Sequence, residues 1–248
     1  MITIKTVDEF AKMRHAGRVV AEILVALRDT AAPGVTLLEL DQIAARIIGD
    51  GDCVPNFLNY HGFPANTCLS VNEELVHGIP SERALKEGDI LSVDAGAIHQ
   101  GWHADAAITF AIGEVPGETH TLMEVTERAL LVGIECCAPG VRLGDVGHAI
   151  SEVAATQGYG VVREYTGHGI GLQMHEDPQV PNYGRPGKGM RLRPGMAICI
   201  EPMFNAGGRA TRVLDDGWTV VTADGSLCAH FEHTIAITPD GPQVLTLP

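Results

Sequence analysis

Five residues of the types that bind metal ions are spread over the chain, four of them carboxylates and one an imidazole: Asp94, Asp105, His168, Glu201 and Glu232. Four carboxylates at one site would repel one another unless cations neutralised them. Two divalent ions would do so, because such ions bind carboxylate oxygen and imidazole nitrogen. If the fold gathers these residues, the sequence predicts a two-metal site of the kind that hydrolyses its substrate.

The segment 89–112 supports this prediction because it reads as two apolar strands joined by a short turn. With a turn centred on His99 and Gln100, Asp94 and Asp105 become direct cross-strand partners with Cβ atoms ~5 Å apart. Like charges so placed destabilise a hairpin, whereas a bridging cation makes them a ligand pair. The alternative is a pair of solvated surface carboxylates.

An internal repeat brings in the second half of the chain. The sequence Ala-Pro-Gly-Val at 32–35 recurs at 138–141, an offset of 106. The apolar strand that ends in Asp94 recurs as the strand that ends in Glu201, an offset of 107. Since the two acids occupy equivalent positions, a pseudo-twofold axis would bring the carboxylates of both halves to one centre.

Each half is predicted to contain two helices followed by strands. Capping boxes at Thr6 and Thr36 begin helices that end near Pro33 and Gly49, and further helices are expected over about 117–137 and 144–157. Strands are expected over 161–165, 196–201, 218–222 and 227–237, the last two joined by a hairpin turn at Asp224-Gly225. This mixture predicts an α+β fold with helices flanking a sheet.

Composition excludes several other classes of protein. Lys plus Arg is 17 against 31 for Asp plus Glu, and the net charge of −14 argues against a nucleic-acid or membrane-binding surface. No apolar run reaches the ~20 residues of a membrane span, and residues 1–10 lack a signal-peptide core. The six cysteines have no disulfide or C-x-x-C spacing, so a reducing, cytoplasmic location is predicted.

Common catalytic motifs are missing from the sequence. His175 and Glu176 begin like the helical zinc-protease motif, but Gln179 stands where its second histidine would be. The chain also lacks a G-x-S-x-G elbow, a phosphate-binding P-loop and a dinucleotide fingerprint. Hydrolysis by a side-chain nucleophile therefore has little support.

Nearly the whole chain resembles the type I methionine aminopeptidases. The matching segments, in order, are Asn72-Glu73, 77–80 (His-Gly-Ile-Pro), the strands that carry Asp94 and Asp105, 165–171 (Tyr-Thr-Gly-His-Gly-Ile-Gly), His175 with 178–183, 200–203 (Ile-Glu-Pro-Met) and 231–234 (Phe-Glu-His-Thr). The resemblance implies a pseudo-twofold pita-bread fold, an antiparallel sheet flanked by two pairs of helices. It also implies one catalytic domain over 1–248, with halves of about 6–113 and 117–240, that removes the initiator methionine from nascent proteins and peptides whose second residue is small.

The resemblance also implies roles for individual residues. Asp94 and Asp105 would hold one divalent ion, while Asp105, His168, Glu201 and Glu232 would hold the other. The ions would be Mn²⁺, Fe²⁺, Co²⁺ or Zn²⁺, and the sequence leaves open whether a monovalent cation also lies near Asn72. Glu201 would move a proton from water to the departing amine. Two histidines would contact substrate, His77 at the backbone or leaving amine and His175 at the carbonyl oxygen.

A pocket for the methionine side chain would be formed by Phe57, Tyr60, Phe63, Cys68 and Trp218 together with His77 and His175. Aromatic faces contact sulfur favourably, although the same residues could be ordinary core aromatics. Phe57 departs from the family, where a small residue, often cysteine, is usual. This departure affects pocket shape and leaves the metal ligands untouched.

Two other functions remain open. Prolidases and X-Pro aminopeptidases share the ligands and the Gly167–Gly171 bend, but they generally carry a large N-terminal domain, whereas five residues precede Thr6 here. Non-catalytic peptide-binding proteins share the fold but have usually lost metal ligands. By resemblance to the short bacterial form we expect a cytoplasmic monomer that contacts the ribosome transiently, although no docking patch is identifiable.

Overall fold

The computed structural model describes residues 2–248. It contains four α-helices and one short 3₁₀ turn, Tyr60–Gly62. The helices are α1 (Val7–Thr30), α2 (Leu37–Asp50), α3 (Gly117–Glu135) and α4 (Leu143–Ala155). Both predicted capping boxes are present. The side chains of Thr6 and Thr36 each accept a hydrogen bond from the backbone amide of a glutamate three residues later, and the side chain of that glutamate accepts one from the threonine backbone amide. No helix within residues 2–248 is both long and apolar enough to cross a bilayer.

Most strands are short. In chain order they are β1 (Val54–Pro55), β2 (Thr67–Val71), β3 (Glu74–Val76), β4 (Ile90–His99), β5 (Trp102–Ala111), β6 (Gly160–Val161), β7 (Gly167–Gly169), β8 (Glu176–Val180), β9 (Ala197–Ile200), β10 (Met203–Asn205), β11 (Thr211–Val213), β12 (Val220–Thr222), β13 (Cys228–His230), β14 (Glu232–Thr238) and β15 (Gly241–Val244).

Antiparallel pairing organises these strands into one large and two small sheets. The large sheet runs β1-β4-β5-β14-β9-β7-β8, with β2 added on β4 and β15 on β14. The small sheets are β13-β10-β6 and β11-β12-β3. The two halves of the chain meet where β5 pairs with β14, in a register that places Glu232 opposite Ala107.

Each half packs its own pair of helices against this sheet. One buried apolar cluster joins α1 and α2 to β2, β4 and β5 through residues such as Leu24, Leu40 and Val93. The other joins α3 and α4 to β9 and β14 through residues such as Leu130 and Ile198. Burial of these apolar faces supplies the main stabilisation and holds the strands that carry the candidate ligands.

Backbone hydrogen bonds repeat between the halves, as expected for a duplicated unit. Gly34 donates from its amide to the Leu85 carbonyl at 2.8 Å, and Gly140 donates likewise to Leu192 at 2.9 Å. Both glycines have a positive φ, 95° and 88°, at the turn that follows the first helix of each half. The Pro-Gly repeat therefore marks equivalent turns.

The predicted register between Asp94 and Asp105 is wrong by two residues. The turn consists of Gln100 and Gly101, with φ values of 49° and 83°, instead of being centred on His99 and Gln100. A two-residue hairpin turn of type I′ needs positive φ at both positions, and Gly101 adopts it without strain. Gly96, rather than Asp94, therefore lies opposite Asp105. The two acids are diagonal neighbours on one face.

Two further predictions were wrong in the second half. Of the strand predicted over 161–165, only Val161 is in a strand, the two-residue β6. Asp224-Gly225 makes a turn, but β12 and β13 on either side belong to different sheets and do not pair as a hairpin. The Asp224 carboxylate instead accepts hydrogen bonds from the Gly208 amide and the Ser226 hydroxyl, both at 2.7 Å. A turn signal fixes local geometry and leaves strand partners undetermined.

Candidate metal centre and adjoining pocket

One cavity of about 200 Å³ lies over the seam between the two halves. It is lined by all five predicted metal ligands and by all seven residues predicted to contact substrate, namely Phe57, Tyr60, Phe63, Cys68, His77, His175 and Trp218. The sequence-predicted residues are therefore brought to one place.

The ligand atoms form two overlapping groups that share Glu232. Atoms of Asp94, Asp105 and Glu232 lie within 4.8 Å of one another, and atoms of His168, Cys199 and Glu232 do the same. Glu201 adjoins the second group, since its Oε1 is 3.7 Å from His168 Nε2. These separations suit ligands of common ions, whose bonds to oxygen and nitrogen are about 2.0 to 2.2 Å long.

His168 is held in an orientation suited to metal binding. Its Nδ1 donates a hydrogen bond to the Gly169 carbonyl oxygen at 2.9 Å, which leaves Nε2 on the side of Glu201. Metal-binding histidines commonly use their second nitrogen in this way. A side chain at Gly167 or Gly169 would collide with neighbouring backbone carbonyls, so the flanking glycines let the strand approach closely enough to place the imidazole.

Burial makes the carboxylate cluster unfavourable without cations. It raises the pKa of Asp94 to about 7, and burial with the nearby Asp94 charge raises the pKa of Glu201 to about 8. Burial and neighbouring carboxylates also hold the pKa of Asp105 and Glu232 well above the ordinary range. One buried oxygen on each of Asp94, Asp105 and Glu232 has no hydrogen-bond partner. Divalent cations would satisfy both the charge and the free oxygens, so the donor set fits them.

Matching threonine hydroxyls form hydrogen bonds between the two halves of the chain across the seam. Thr234 Oγ1 accepts from the Asp105 amide at 2.9 Å and donates to the Asp105 carbonyl at 2.8 Å. Thr109 Oγ1 accepts from the His230 amide at 2.9 Å and donates to the His230 carbonyl at 2.7 Å. His230 therefore occupies the place in the second half that Asp105 occupies in the first.

His230 is a site residue that the sequence analysis missed. Its Nε2 lies 3.9 Å from Glu201 Oε2 and 3.8 Å from Glu232 Oε2, and neither ring nitrogen has a hydrogen-bond partner. Burial and the nearby His77 lower its pKa to about 3, so the ring is neutral at physiological pH. The sequence contains one indication that His230 belongs to the site. It lies two residues before Glu232, and alternate residues of an extended segment share a face.

The pocket beside the ligands has aromatic walls. Phe63 packs edge-on against Phe57 and Trp218, with ring centroids 6.5 and 5.2 Å apart. Cys68 lies directly opposite Asp94 on the paired strands β2 and β4, so its thiol adjoins the metal centre. Phe57 and Phe63 are buried, and the pocket joins apolar walls to a polar end.

Two histidines stand between this pocket and the ligands. His77 has a φ of 60°, a left-handed conformation that non-glycine residues adopt mainly where the surrounding fold imposes it. Burial and the nearby His175 lower its pKa to about 4. His175 Nδ1 is hydrogen-bonded to the Tyr60 hydroxyl at 2.8 Å, and its ring centroid lies 4.3 Å from that of His168.

A buried acid-rich centre with one oriented imidazole, set in a sheet built from two similar halves, is the arrangement of a metallopeptidase. Residues 11–239 match the metallopeptidase family M24, and the chain belongs to this family. Methionine aminopeptidase 1 of Bacillus subtilis is 51% identical over 246 residues, which cover 99% of both chains. The corresponding enzyme of Clostridium acetobutylicum is 52% identical over 248 residues, covering 100% of this chain and 99% of that one. Within family M24 the chain falls among the methionine aminopeptidases, as the resemblance predicted.

Solved structures confirm the pita-bread α+β fold. Methionine aminopeptidase from Thermotoga maritima superposes with a TM-score of 0.99 at 47% identity, and all of both chains is covered. Prolidase from Pyrococcus furiosus superposes with a TM-score of 0.80 at 22% identity, covering 99% of this chain and 65% of that one. The prolidase shares the fold, and the aminopeptidases share both fold and sequence.

Proposed function

We propose that this metalloaminopeptidase removes the N-terminal methionine from nascent proteins and peptides, acting as one catalytic domain over residues 1–248. The observation that carries the proposal is the shared cavity, which joins five metal-type ligands to an apolar pocket through two histidines. A small second residue is preferred, because the scissile bond must approach the carboxylates past the His77 and His175 rings.

Asp94, Asp105, His168, Glu201 and Glu232 would hold two divalent ions. When bound, such ions supply a water activated at neutral pH and stabilise negative charge on the attacked carbonyl oxygen. Oxygen-rich ligands with one imidazole suit Mn²⁺, Fe²⁺, Co²⁺ or Zn²⁺. A monovalent cation near Asn72 stays a prediction. The Asn72 side chain itself is engaged by Asp89 and by the Ile90 amide, both at 2.9 Å, which leaves backbone carbonyls to bind such an ion.

The protein's own groups would position the substrate and move the protons. Glu201 carries the proton from the attacking water to the departing amine. We assign the Tyr60 hydroxyl as the donor in its hydrogen bond to Nδ1 of His175, because Nε2 then carries the hydrogen and can donate to the substrate carbonyl oxygen. His77 is neutral, with its pKa lowered to about 4, and contacts the peptide backbone or the leaving amine without adding charge.

Specificity would come from the apolar end of the cavity. Phe57, Phe63 and Trp218 surround a space suited to an unbranched thioether, and Cys68 adds a second polarizable sulfur. Phe57 fills room that a smaller residue would leave open. It therefore narrows the pocket on one side without touching the carboxylates.

His230 belongs to the same centre. Its distance of 3.9 Å from Glu201 is close to the 3.7 Å that separates His168 from Glu201. A neutral imidazole with both nitrogens free can orient the two glutamates or bind the metal directly. Either role couples His230 to metal affinity.

Comparing Met-Ala-Ser with an X-Pro dipeptide tests the proposal. The metal-loaded protein should release methionine from Met-Ala-Ser and leave the X-Pro dipeptide intact, and Met-Pro-Ser serves as a matched substrate with a different second residue. A clear preference for X-Pro dipeptides would overturn the assignment. Elemental analysis of protein purified without added metal would identify the ions.

The cellular setting of this activity follows from the substrate. Nascent chains emerge from ribosomes, so we place the protein in the cytoplasm, as a monomer with transient ribosome contact. The net charge of −14 disfavours a stable complex with exposed RNA. Ribosome sedimentation at physiological salt should recover only a small fraction of the protein.

A further inference from the structure

A second group of metal-type ligands lies outside the cavity. One ligand atom from each of His15, Cys53 and His99 lies within 4.8 Å of the other two. His15 comes from α1, Cys53 from the loop after α2, and His99 from the end of β4. The two imidazoles are stacked, with ring centroids 3.8 Å apart and planes inclined by 28°.

The loop that supplies the thiol also orients both rings. His15 Nε2 is hydrogen-bonded to the Gly51 carbonyl at 2.8 Å, and His99 Nδ1 to the Asp52 carbonyl at 2.9 Å. Carbonyl oxygens only accept, so these nitrogens carry the hydrogens. Nδ1 of His15 and Nε2 of His99 are left with free lone pairs. Metal-binding histidines in proteins commonly show this use of one nitrogen by a backbone carbonyl.

The group is separate from the peptidase centre. His99 follows Asp94 by five residues on β4, a distance of about 17 Å along an extended strand. An odd separation also places the two side chains on opposite faces of the sheet. His99 is 8% exposed, while His15 and Cys53 are partly exposed, so an ion could enter from solvent.

We propose that His15, Cys53 and His99 form a third metal site, suited to Zn²⁺, with its fourth position open to water. One thiolate and two imidazoles are the donors that zinc binds tetrahedrally, and they differ in kind from the carboxylates of the peptidase centre. The site would connect α1, the loop after α2 and the β4–β5 hairpin. It is independent of the proposed peptidase function.

Binding at this site displaces the Cys53 proton. Burial and the Asp52 charge raise the pKa of the Cys53 thiol to about 11, so the free protein carries it as S–H. The cation forms a bond to sulfur as the S–H proton leaves to solvent. One proton is therefore released for each ion bound.

Cobalt titration of the metal-free full-length protein tests the site. A thiolate bound to Co²⁺ gives a near-ultraviolet charge-transfer band that carboxylate and imidazole ligands do not give. The natural protein should show this band, and Cys53→Ser should lose it. Cys136→Ser, which alters a half-buried thiol just after α3 in the other half of the chain, should retain it. Because Cys199 adjoins His168 in the peptidase centre, a band that persists in Cys53→Ser would assign the thiolate to that centre and overturn the proposal.

Thiol protection gives a second measurement. Zn²⁺ should slow alkylation of Cys53 at least ten-fold, as followed by mass spectrometry of the modified peptide. His99→Asn should abolish this protection while leaving the alkylation rate without zinc nearly unchanged. Hydrolysis of Met-Ala-Ser by manganese-loaded Cys53→Ser should equal that of the natural protein. Equal protection in His99→Asn would refute the three-ligand site.

Discussion

The carboxylates of the metal centre should destabilise the metal-free protein as the pH rises, and Glu201→Gln tests this. Burial and the charge of Asp94 raise the pKa of Glu201 from 4.5 to about 8. In the unfolded chain the group returns to its ordinary pKa. The pKa of Glu201 is higher in the folded protein than in the unfolded chain. The contribution of this side chain to the free energy of unfolding is therefore full below pH 4.5 and is lost as the pH rises to about 8.

The size of the effect follows from the two pKa values. At 1.36 kcal/mol per pH unit, the interval from 4.5 to about 8 corresponds to about 5 kcal/mol. The neighbouring carboxylates share this penalty, so we expect a gain of about 2 to 4 kcal/mol when one charge is removed. Metal-free Glu201→Gln should exceed the natural protein in free energy of unfolding by this amount near pH 8.

Urea unfolding of chelator-treated protein, followed by circular dichroism between about pH 5 and pH 9, measures the difference. Glu124→Gln removes an exposed carboxylate from α3 and should leave the pH profile unchanged. Added Mn²⁺ should reverse the order of stability, because the natural protein gains binding free energy that the variant lacks. If the stability of the metal-free natural protein stays constant or rises over this range, the reasoning is refuted.

Four substitutions test the site residues further. Asp105→Asn should abolish release of methionine from Met-Ala-Ser because a ligand is lost, and retained turnover would exclude the metal mechanism. Phe57→Cys should change inhibitor or substrate preference by enlarging the pocket, with metal content by elemental analysis unchanged; lost metal would contradict this. Tyr60→Phe should lower kcat about ten-fold, since His175 loses the hydrogen bond that orients it; steady-state kinetics showing an unchanged kcat would remove Tyr60 from the mechanism. His230→Gln should weaken metal binding about ten-fold in chelator competition, and an unchanged affinity would show that the imidazole acts elsewhere.

Local signals predicted the helices and the positions of the candidate ligands. Capping at Thr6 and Thr36 involves residues three apart, so the starts of α1 and α2 are readable from the sequence. The repeat related Asp94 to Glu201 because each directly follows an apolar segment, 90–93 or 197–200, of equivalent units. Glycines on either side of His168 indicated a close backbone approach, which the packing of β7 against β8 and β9 explains.

Pairing between strands was harder to predict. The register of β4 and β5 depends on which two residues take positive φ, and His99-Gln100 and Gln100-Gly101 differ by one position in the sequence. The partners of β12 and β13 depend on contacts with distant strands, which Asp224-Gly225 does not encode. His230 was missed because its backbone is held in place by hydrogen bonds to Thr109, 121 residues away, which no local pattern encodes.

The seam between β5 and β14 also governs the order in which the centre can be assembled. The first half contributes two carboxylates and no imidazole, while Glu232, common to both ligand groups, lies on the strand that joins the halves. A growing chain therefore cannot complete the centre until β14 inserts between β5 and β9. Metal capture would mark the end of folding, and detaching this single strand would release both ions together.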